Sequence, residues 1–368
     1  MNILAINLDK AIFKENSASL ERLKEYSALA EKLFVIVWTR EKFSPIVFGD
    51  RLIVYPTNSY CRLFYFFDTW RLARNILRKN KIDLIFTQDP FETGLAGALI
   101  AAINRIRLQL QIHTDVFSPY FWYQSWVNKI RVVLAKILVK RADSLRVVSA
   151  RIETSLVKLG VARKKIFILP IYTDVRKITD AGVKIDLKSK YRQFEKIILM
   201  ASRLSPEKNI DLAIKAIPKV AKKLPRIGLV ILGSGQEKAR LKSLIKKNGL
   251  AGRVILEAWT EDLSSYYKTA DLFLLTSNYE GWGIVVIEAM AADCPVIMTD
   301  VGCAGELVKD GLNGLVVPVG DEEKMVKKIL MLAGDKDLRK ALADKAKESV
   351  NALMSKEEYL RQYKRSWL

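Results

Sequence analysis

The chain has 368 residues, 50% of them hydrophobic and 27% charged, which excludes a disordered or fibrous polypeptide and suffices for two domains with separate cores. Three distant cysteines exclude a disulfide framework, and the single histidine, His113, excludes any mechanism or metal site that needs two imidazoles. A net charge of +21 suits an anionic partner, whether nucleotide, lipid surface or nucleic acid. That excess is uneven, at +9 over residues 51–150, +16 over 151–250 and −6 over 251–350.

The N-terminus reads as a strand over 3–8 with no basic leader, so export is not expected. Further short β-branched runs at 33–38, 84–86, 108–112, 145–148 and 166–169 alternate with helical patterns, the rhythm of parallel strands with helical crossovers. Between them, residues 62–79 form an amphipathic helical segment carrying Phe64, Phe67, Arg71, Arg74 and Arg78. At about 100° per residue Phe67 and the three arginines share one side, opposite an apolar face of Phe66, Trp70, Ala73 and Leu77. Exposed aromatics among arginines are what an anionic interface selects. The longest nearly apolar stretch, 95–103, is about half of the roughly 20 residues a membrane span requires, so the chain is not expected to cross a bilayer. Gln111-Ile112-His113-Thr114-Asp115 ends the strand at 108–112. The helix at 126–141 aligns Lys129, Lys136 and Lys140 on a narrow stripe and reads as a core helix with a wet edge, with a membrane helix as the alternative.

Residues 172–194 are polar, Lys-rich and without apolar periodicity, which marks them as a linker, with a boundary near Thr173. The strand rhythm restarts at 197–200 and continues at 229–232, 254–256, 272–275 and 296–298. The expectation is an α/β protein of two Rossmann-like, doubly wound parallel-sheet domains, 1–173 and 174–354, facing a central cleft, with a basic helix at 355–368 packing back on the first. Ligands of such sheets bind at the carboxyl ends of strands.

Three strand-to-helix loops of the second domain carry chemistry. Ala201-Ser202-Arg203-Leu204-Ser205-Pro206-Glu207-Lys208 offers a guanidinium fork, an ammonium and a helix start, together able to hold a diphosphate. Gly233-Ser234-Gly235 opens like a dinucleotide fingerprint, but Lys238 takes the place of the third glycine, so a nicotinamide or flavin enzyme is disfavoured and either a nucleotide-side turn or a structural turn remains. Trp259, after the strand at 254–256, is either a base-stacking ring or a core residue. The third loop, Glu280-Gly281-Trp282-Gly283-Ile284, leads into a helix bearing Glu288; two glycines bring amides toward an anion, and the two carboxylates can accept bonds from sugar and ribose hydroxyls.

As an ordered set, Arg203 with Lys208, the Gly233-Ser234-Gly235 turn and Glu280 to Glu288 (E-x7-E) followed by Pro295-Val296 resemble the retaining glycosyltransferases of family 4, of GT-B fold. The run from Gly302-Cys303-Ala304-Gly305-Glu306 to Asp310-Gly311-Leu312-Asn313-Gly314 resembles them too. The resemblance implies a nucleotide-diphosphate sugar, UDP- or GDP-linked, in the second domain. Arg203, Lys208 and the amides of Gly281, Trp282, Gly283 and Ile284 would stabilise the leaving diphosphate with no metal or other cofactor. It further implies Glu280 on the donor sugar, Glu288 on ribose, Ser202 and the glycine turn near the nucleotide, and His113 near the reacting centre. The acceptor would be a glycan or a lipid-linked sugar of envelope polysaccharide or glycolipid synthesis. Where the family carries paired glycines after the first strand, this chain has Asn7-Leu8-Asp9-Lys10 and then Glu15-Asn16-Ser17, so Asn16 and Ser17 are the acceptor candidates there. A further expectation is a cytoplasmic enzyme docked by its first domain on an anionic leaflet. A sugar-nucleotide epimerase or phosphorylase of related fold is the alternative within enzymes, and a basic nucleic-acid-binding protein the alternative outside them; scattered cations and the lack of a base-stacking motif disfavour the latter.

Overall fold

A computed structural model describes residues 1–368 as two compact α/β units. The N-terminal unit comprises Met1–Phe117, Ser125–Pro170 and Ser355–Leu368, and the C-terminal unit comprises Ser118–Gln124 and Ile171–Met354.

The N-terminal stretch of chain runs β1 (Asn2–Asn7), α1 (Ala18–Ser27), β2 (Lys32–Val37), β3 (Ile46–Phe48), β4 (Leu52–Pro56), α2 (Tyr65–Lys79), β5 (Leu84–Thr87), α3 (Glu92–Asn104), β6 (Arg107–Ile112), α4 (Pro119–Gln124), α5 (Trp126–Arg141), β7 (Ser144–Val147), α6 (Ala150–Lys158) and β8 (Ile166–Ile168). Its sheet has the order β3-β4-β2-β1-β5-β6-β7-β8, parallel throughout except that β3 runs antiparallel to β4. The central strands are buried along their length, as strands covered by helices on both faces require. The β3–β4 hairpin has no counterpart in the sequence reading. Both are short apolar runs, Ile46-Val47-Phe48 and Leu52-Ile53-Val54-Tyr55, that the reading passes over; β3 is largely exposed and β4 alternates buried with half-buried residues, as suits the edge of the sheet.

On α2 the side toward the sheet is Thr69, Ala73 and Ile76, with Trp38 Nε1 donating to Thr69 Oγ1 at 2.7 Å. The expected apolar face is thus rotated: Trp70 stays exposed and Leu77 half-buried, because the sheet takes the neighbouring row of side chains.

The last helix, α15 after fourteen others (Lys356–Arg365), belongs to the N-terminal unit. Its Tyr363 is fully buried, as is Trp367 just beyond it. Tyr359 and Tyr363 meet Arg146 of β7, whose guanidinium donates to Gln111 Oε1 and Tyr359 OH at 3.1 Å each and lies 4.6 Å from the Tyr363 ring centre. A buried charge persists only where its donors find acceptors in this way.

The C-terminal unit continues with α7 (Val175–Thr179), α8 (Leu187–Lys190), β9 (Lys196–Ala201), α9 (Ile210–Ala221), β10 (Ile227–Leu232), α10 (Lys238–Lys247), β11 (Val254–Glu257), α11 (Leu263–Thr269), β12 (Leu272–Leu275), α12 (Ile284–Ala291), β13 (Val296–Thr299), β14 (Leu315–Val317), α13 (Glu322–Gly334) and α14 (Lys336–Asn351). Its parallel sheet has the order β11-β10-β9-β12-β13-β14.

Two expectations about organisation are corrected. Residues 172–194 are a strap fixed to the C-terminal unit rather than a free linker: Leu187 is fully buried, Thr179 Oγ1 donates to the Ala291 carbonyl at 3.3 Å, and the Lys184 amide donates to Ser265 Oγ at 2.8 Å. Hydrogen bonds rather than apolar periodicity hold it, which is why it reads as a linker. Ser118–Gln124 falls within the expected first domain yet packs with the C-terminal unit, because its side chains find their partners there. Phe121 meets the Tyr279 ring edge-on at 5.4 Å and Tyr120 OH donates to the Val319 carbonyl at 3.4 Å.

Candidate active site

In an open parallel sheet the strand order reverses at one point, and a crevice opens there between the loops leaving the carboxyl ends of the two diverging strands. In the C-terminal unit that point lies between β9 and β12. The loops 202–209 and 276–283 therefore flank it. Three bonds stitch them together: Thr276 Oγ1 to the Lys208 carbonyl at 2.8 Å, the Asn278 amide to the Glu207 carbonyl at 2.8 Å, and Asn209 Nδ2 to Asn278 Oδ1 at 3.0 Å.

Across this seam Lys208 Nζ pairs with Glu280, which also accepts from Ser277 Oγ at 2.8 Å. Both side chains of the pair are largely buried, at 13% and 14% exposure. Arg203 is different: it pairs with Glu207 at 3.1 Å but leaves its side chain 78% exposed. Burial pushes the Glu207 carboxyl up, but the Ser205 hydroxyl at 2.6 Å and the Arg203 and Lys208 charges outweigh it and hold the group below its ordinary value.

Glycines set how closely these loops approach. Gly302, at φ 55°, lies under the Glu280 loop, and a Cβ there would stand 2.5 Å from the Trp282 carbonyl and 3.0 Å from Glu280 Cβ. A Cβ on Gly233 or Gly235 would collide with the backbone of Ser202 or Leu204. Both glycines thus serve the backbone contact between the β9 and β10 loops, where the Leu204 amide donates to Ser234 at 2.8 Å. Ser202 Oγ is buried beside them and has no hydrogen-bond partner. Gly283 turns the chain into α12 at φ 98°; the Val286 amide already bonds the Gly283 carbonyl at 2.9 Å, so the amides left at the start of the helix are those of Ile284 and Val285. Gly281 and Trp282 are buried, so Trp282 can offer a ligand its backbone but not its ring.

Glu288, inside α12, accepts from the fully buried Tyr267 OH at 3.0 Å. Burial raises its pKa, against the lowering effects of that bond and of Lys177. Trp259 is 47% exposed beyond β11, which removes the core alternative for this ring.

In the N-terminal unit the order reverses between β1 and β5. The β1 loop is closed on itself: Asn7 Oδ1 accepts from the Asp9 amide at 2.9 Å and Asp9 Oδ1 from the Ala11 amide at 3.0 Å. Ser17, expected to meet an acceptor, is committed as the N-cap of α1, its Oγ accepting from the Leu20 amide at 3.2 Å. Asn16 is exposed beside it at φ 56°. After β5 stands Asp89, which the sequence reading passes over; its carboxylate accepts from the Phe91 amide at 2.7 Å and the Thr93 hydroxyl at 2.5 Å, and burial raises its pKa. An acid two residues beyond the short strand Leu84–Thr87 was the available signal. His113 follows β6 with its Nε2 buried and unpartnered. Burial, then the Arg146 and Arg22 charges, push its pKa down to about 3, so the ring is neutral.

With this geometry in hand the chain can be set beside known proteins. The family model described as Glycosyltransferase Family 4 matches residues 26–177, and that described as Glycosyl transferases group 1 matches residues 184–349. The N-acetylgalactosamine-N,N'-diacetylbacillosaminyl-diphospho-undecaprenol 4-alpha-N-acetylgalactosaminyltransferase of Campylobacter jejuni is 33% identical over 275 residues, 73% of this chain and 72% of that protein. The chain belongs to glycosyltransferase family 4. An uncharacterized glycosyltransferase of Methanocaldococcus jannaschii is 24% identical over 77% of this chain and 75% of its own length. Several other glycosyltransferases match over less than half of their own length. Among solved structures, Anabaena HepE in complex with UDP-glucose superposes with a TM-score of 0.76 at 20% identity, covering 100% of this chain and 99% of that one, which establishes a shared GT-B fold.

The structure of this family 4 glycosyltransferase thus gathers Ser202, Arg203, Lys208, Gly233, Gly235, Gly281, Gly283, Glu280 and Glu288 on loops and the helix at the carboxyl edge of one sheet. Sequence reasoning missed the groups that hold them: Glu207, Tyr267, Ser277 and the Tyr279–Gln124 contact, in which Tyr279 OH donates to the amide oxygen. Of the surface residues, Phe64 and Phe67 are exposed, and Arg71 pairs with Asp68 at 3.2 Å. No helix is long and apolar enough to cross a membrane.

Proposed function

We propose that this chain moves a sugar from a uridine- or guanosine-diphosphate sugar to a glycan or lipid-linked acceptor, with retention at the anomeric carbon and without a metal. The observation that carries the reading is the buried Lys208–Glu280 pair at the reversal point of the C-terminal sheet, beside the start of α12. An ammonium, the rim guanidinium of Arg203 and the Gly281 to Ile284 amides form a cationic set matched to a departing diphosphate, where preorganised donors act most strongly. Glu280, turned toward Lys208, is assigned to the sugar hydroxyls and Glu288 to the ribose diol. Trp259 is assigned to the base, and the unpartnered Ser202 hydroxyl to the phosphates.

The sugar C1–O bond breaks toward the diphosphate, the acceptor oxygen attacks the same face, and its proton passes to a donor phosphate oxygen. His113, neutral, is assigned a hydrogen bond to the sugar near that centre; its pKa makes it unsuited to act as a general acid. The complexes of HepE with UDP-glucose and the undecaprenyl-diphosphate named in the Campylobacter relative support a uridine donor and a lipid-linked acceptor. We further assign α2, with Phe64, Phe67, Arg71, Arg74 and Arg78, to an anionic membrane surface at which such an acceptor would be met.

A thermal-shift and slow-hydrolysis screen of UDP- and GDP-sugars tests the activity. A stabilising donor whose effect disappears in Lys208→Ala and Glu288→Ala is expected. Hydrolysis of a nucleotide sugar with unchanged kinetics in both variants would refute the site.

A further inference from the structure

α11 is a seven-residue helix that joins three parts of the C-terminal unit. Ser265 Oγ accepts from the Lys184 amide at 2.8 Å, Thr269 Oγ1 accepts from the Leu187 amide at 3.2 Å, and Lys268 Nζ donates to the Thr179 carbonyl at 2.7 Å, so three of its residues pin it to the strap at 172–194. Its two tyrosines reach elsewhere. Tyr266 OH donates to Glu257 Oε2 at 2.8 Å at the end of β11, and Tyr267 OH donates to Glu288 Oε2 at 3.0 Å inside α12.

The Tyr267 contact leaves little freedom. The residue is fully buried, and its ring meets Phe273 of β12 edge-on with centroids 5.5 Å apart. A buried tyrosine hydroxyl needs a partner, and Glu288 supplies it. Glu288 itself is half-buried, on the same side of α12 as Ile284 and Val285, whose amides are left at the start of the helix. At about 1.5 Å per residue Glu288 stands roughly 6 Å along the axis from Ile284, a step comparable to that from a diphosphate to the ribose that carries it. A carboxylate offers about four lone-pair sites. Tyr267 takes one on Oε2 from the buried side, which fixes the plane of the group and leaves the others for two vicinal hydroxyls.

We propose that Tyr267 is the positioning residue of the nucleoside site: its hydroxyl sets the Glu288 carboxylate in the orientation that grips both ribose hydroxyls, and so makes the enzyme selective for ribonucleotide over 2′-deoxyribonucleotide donors. This rests on the assignment of Glu288 to the ribose diol and names what makes that contact selective. A carboxylate on a flexible two-carbon arm turns when nothing holds it, and a turning one accepts from a single hydroxyl nearly as well as from a pair. Tyr267 acts through Glu288 alone, since its own ring lies wholly in the core. Tyr266, its neighbour on the same helix and 2% exposed, bonds Glu257 rather than Glu288 and is the control for what losing a buried tyrosine hydroxyl does to the fold.

Calorimetric titration of the full chain with UDP, GDP and their 2′-deoxy counterparts tests this. Wild-type protein should bind one ribonucleotide about tenfold or more tighter than its deoxy form, the effect of one hydrogen bond to a charged group. Tyr267→Phe should cut that ratio to about threefold or less by weakening the ribonucleotide, with the deoxy form bound as before. In hydrolysis of the matching nucleotide sugar the same variant should raise KM and leave kcat unchanged, since the ribose lies away from the breaking bond. Tyr266→Phe should keep the wild-type ratio, and Tyr267→Phe added to Glu288→Gln should change the ratio no further than Glu288→Gln alone. A Tyr267→Phe variant that discriminates like wild type refutes the positioning role and leaves the ribose assignment standing. An equal loss of discrimination in Tyr266→Phe, or a lowered kcat at unchanged ratio, would give Tyr267 to the fold alone and overturn the proposal. If wild type binds ribo and deoxy forms alike, or binds neither UDP nor GDP, the ribose assignment itself falls and this one with it.

Discussion

Replacing Lys208 by Met separates what the buried ion pair does for the fold from what it does for the reaction. The substitution keeps side-chain length but leaves the Glu280 carboxylate, 14% exposed, with only the Ser277 hydroxyl at 2.8 Å. Breaking a buried pair from one side costs about 3–5 kcal/mol. The surviving Ser277 bond and residual exposure place this case at the lower end, about 3 kcal/mol. For a domain of this size about 1 kcal/mol moves the melting temperature by 2–4 °C, so a fall of roughly 6–12 °C is expected by calorimetry. Glu280→Leu added to Lys208→Met removes the stranded charge and should recover most of that loss. Nucleotide-sugar hydrolysis should recover none of it, since the double variant has lost both the cation and the carboxylate assigned to the sugar. A single variant with unchanged melting and turnover, or a double variant that regains turnover, would refute the assignment of this pair to the active site.

The folded state holds a proton on Glu288 more tightly than the unfolded chain, so its stability contribution is present below the ordinary glutamate value and is lost as pH rises through the raised one. Donor affinity should move oppositely, rising as the carboxylate forms, and Glu288→Gln should flatten both profiles in parallel calorimetric titrations. His113 has the reverse sign: with its pKa lowered from 6.5 to about 3, stability should fall as pH drops across that interval, and urea titrations of His113→Gln should lose that limb. Gly302→Ala must place a Cβ 2.5 Å from the Trp282 carbonyl at a left-handed φ, so it should lower both melting temperature and donor affinity by displacing the Glu280 loop. Trp259→Ala should weaken nucleotide binding by about 1–3 kcal/mol if the ring stacks on the base, read by fluorescence titration.

The sequence carries most of the parallel strands because they are short, mainly apolar runs between helical periods, and the loops at their ends because glycines and charges cluster there. It does not carry β3, β4 or β14, which are short or only half-covered. Nor does it show partnerships across long separations. That Lys208 meets Glu280, that Tyr267 caps Glu288 and that Gly302 braces Trp282 follow from strand order, which residue spacing alone does not encode. The α2 face was misread for a similar reason, since a wheel of side chains shows an apolar row but not which of two adjacent rows the sheet will take. Ser17 has the composition of a ligand contact and the geometry of a cap.

The placement of Ser118–Gln124 bears on how the protein can be divided. A fragment spanning 171–354 would appear whole by strand count, yet it would strip Phe121 from the Tyr279 ring and Gln124 from its hydroxyl, one residue before Glu280. Excision of 171–354 therefore yields a half whose Glu280 loop has lost the contacts that Phe121 and Gln124 make with Tyr279. A short peptide carrying residues 118–124, supplied in trans, is the natural complement for rebuilding it.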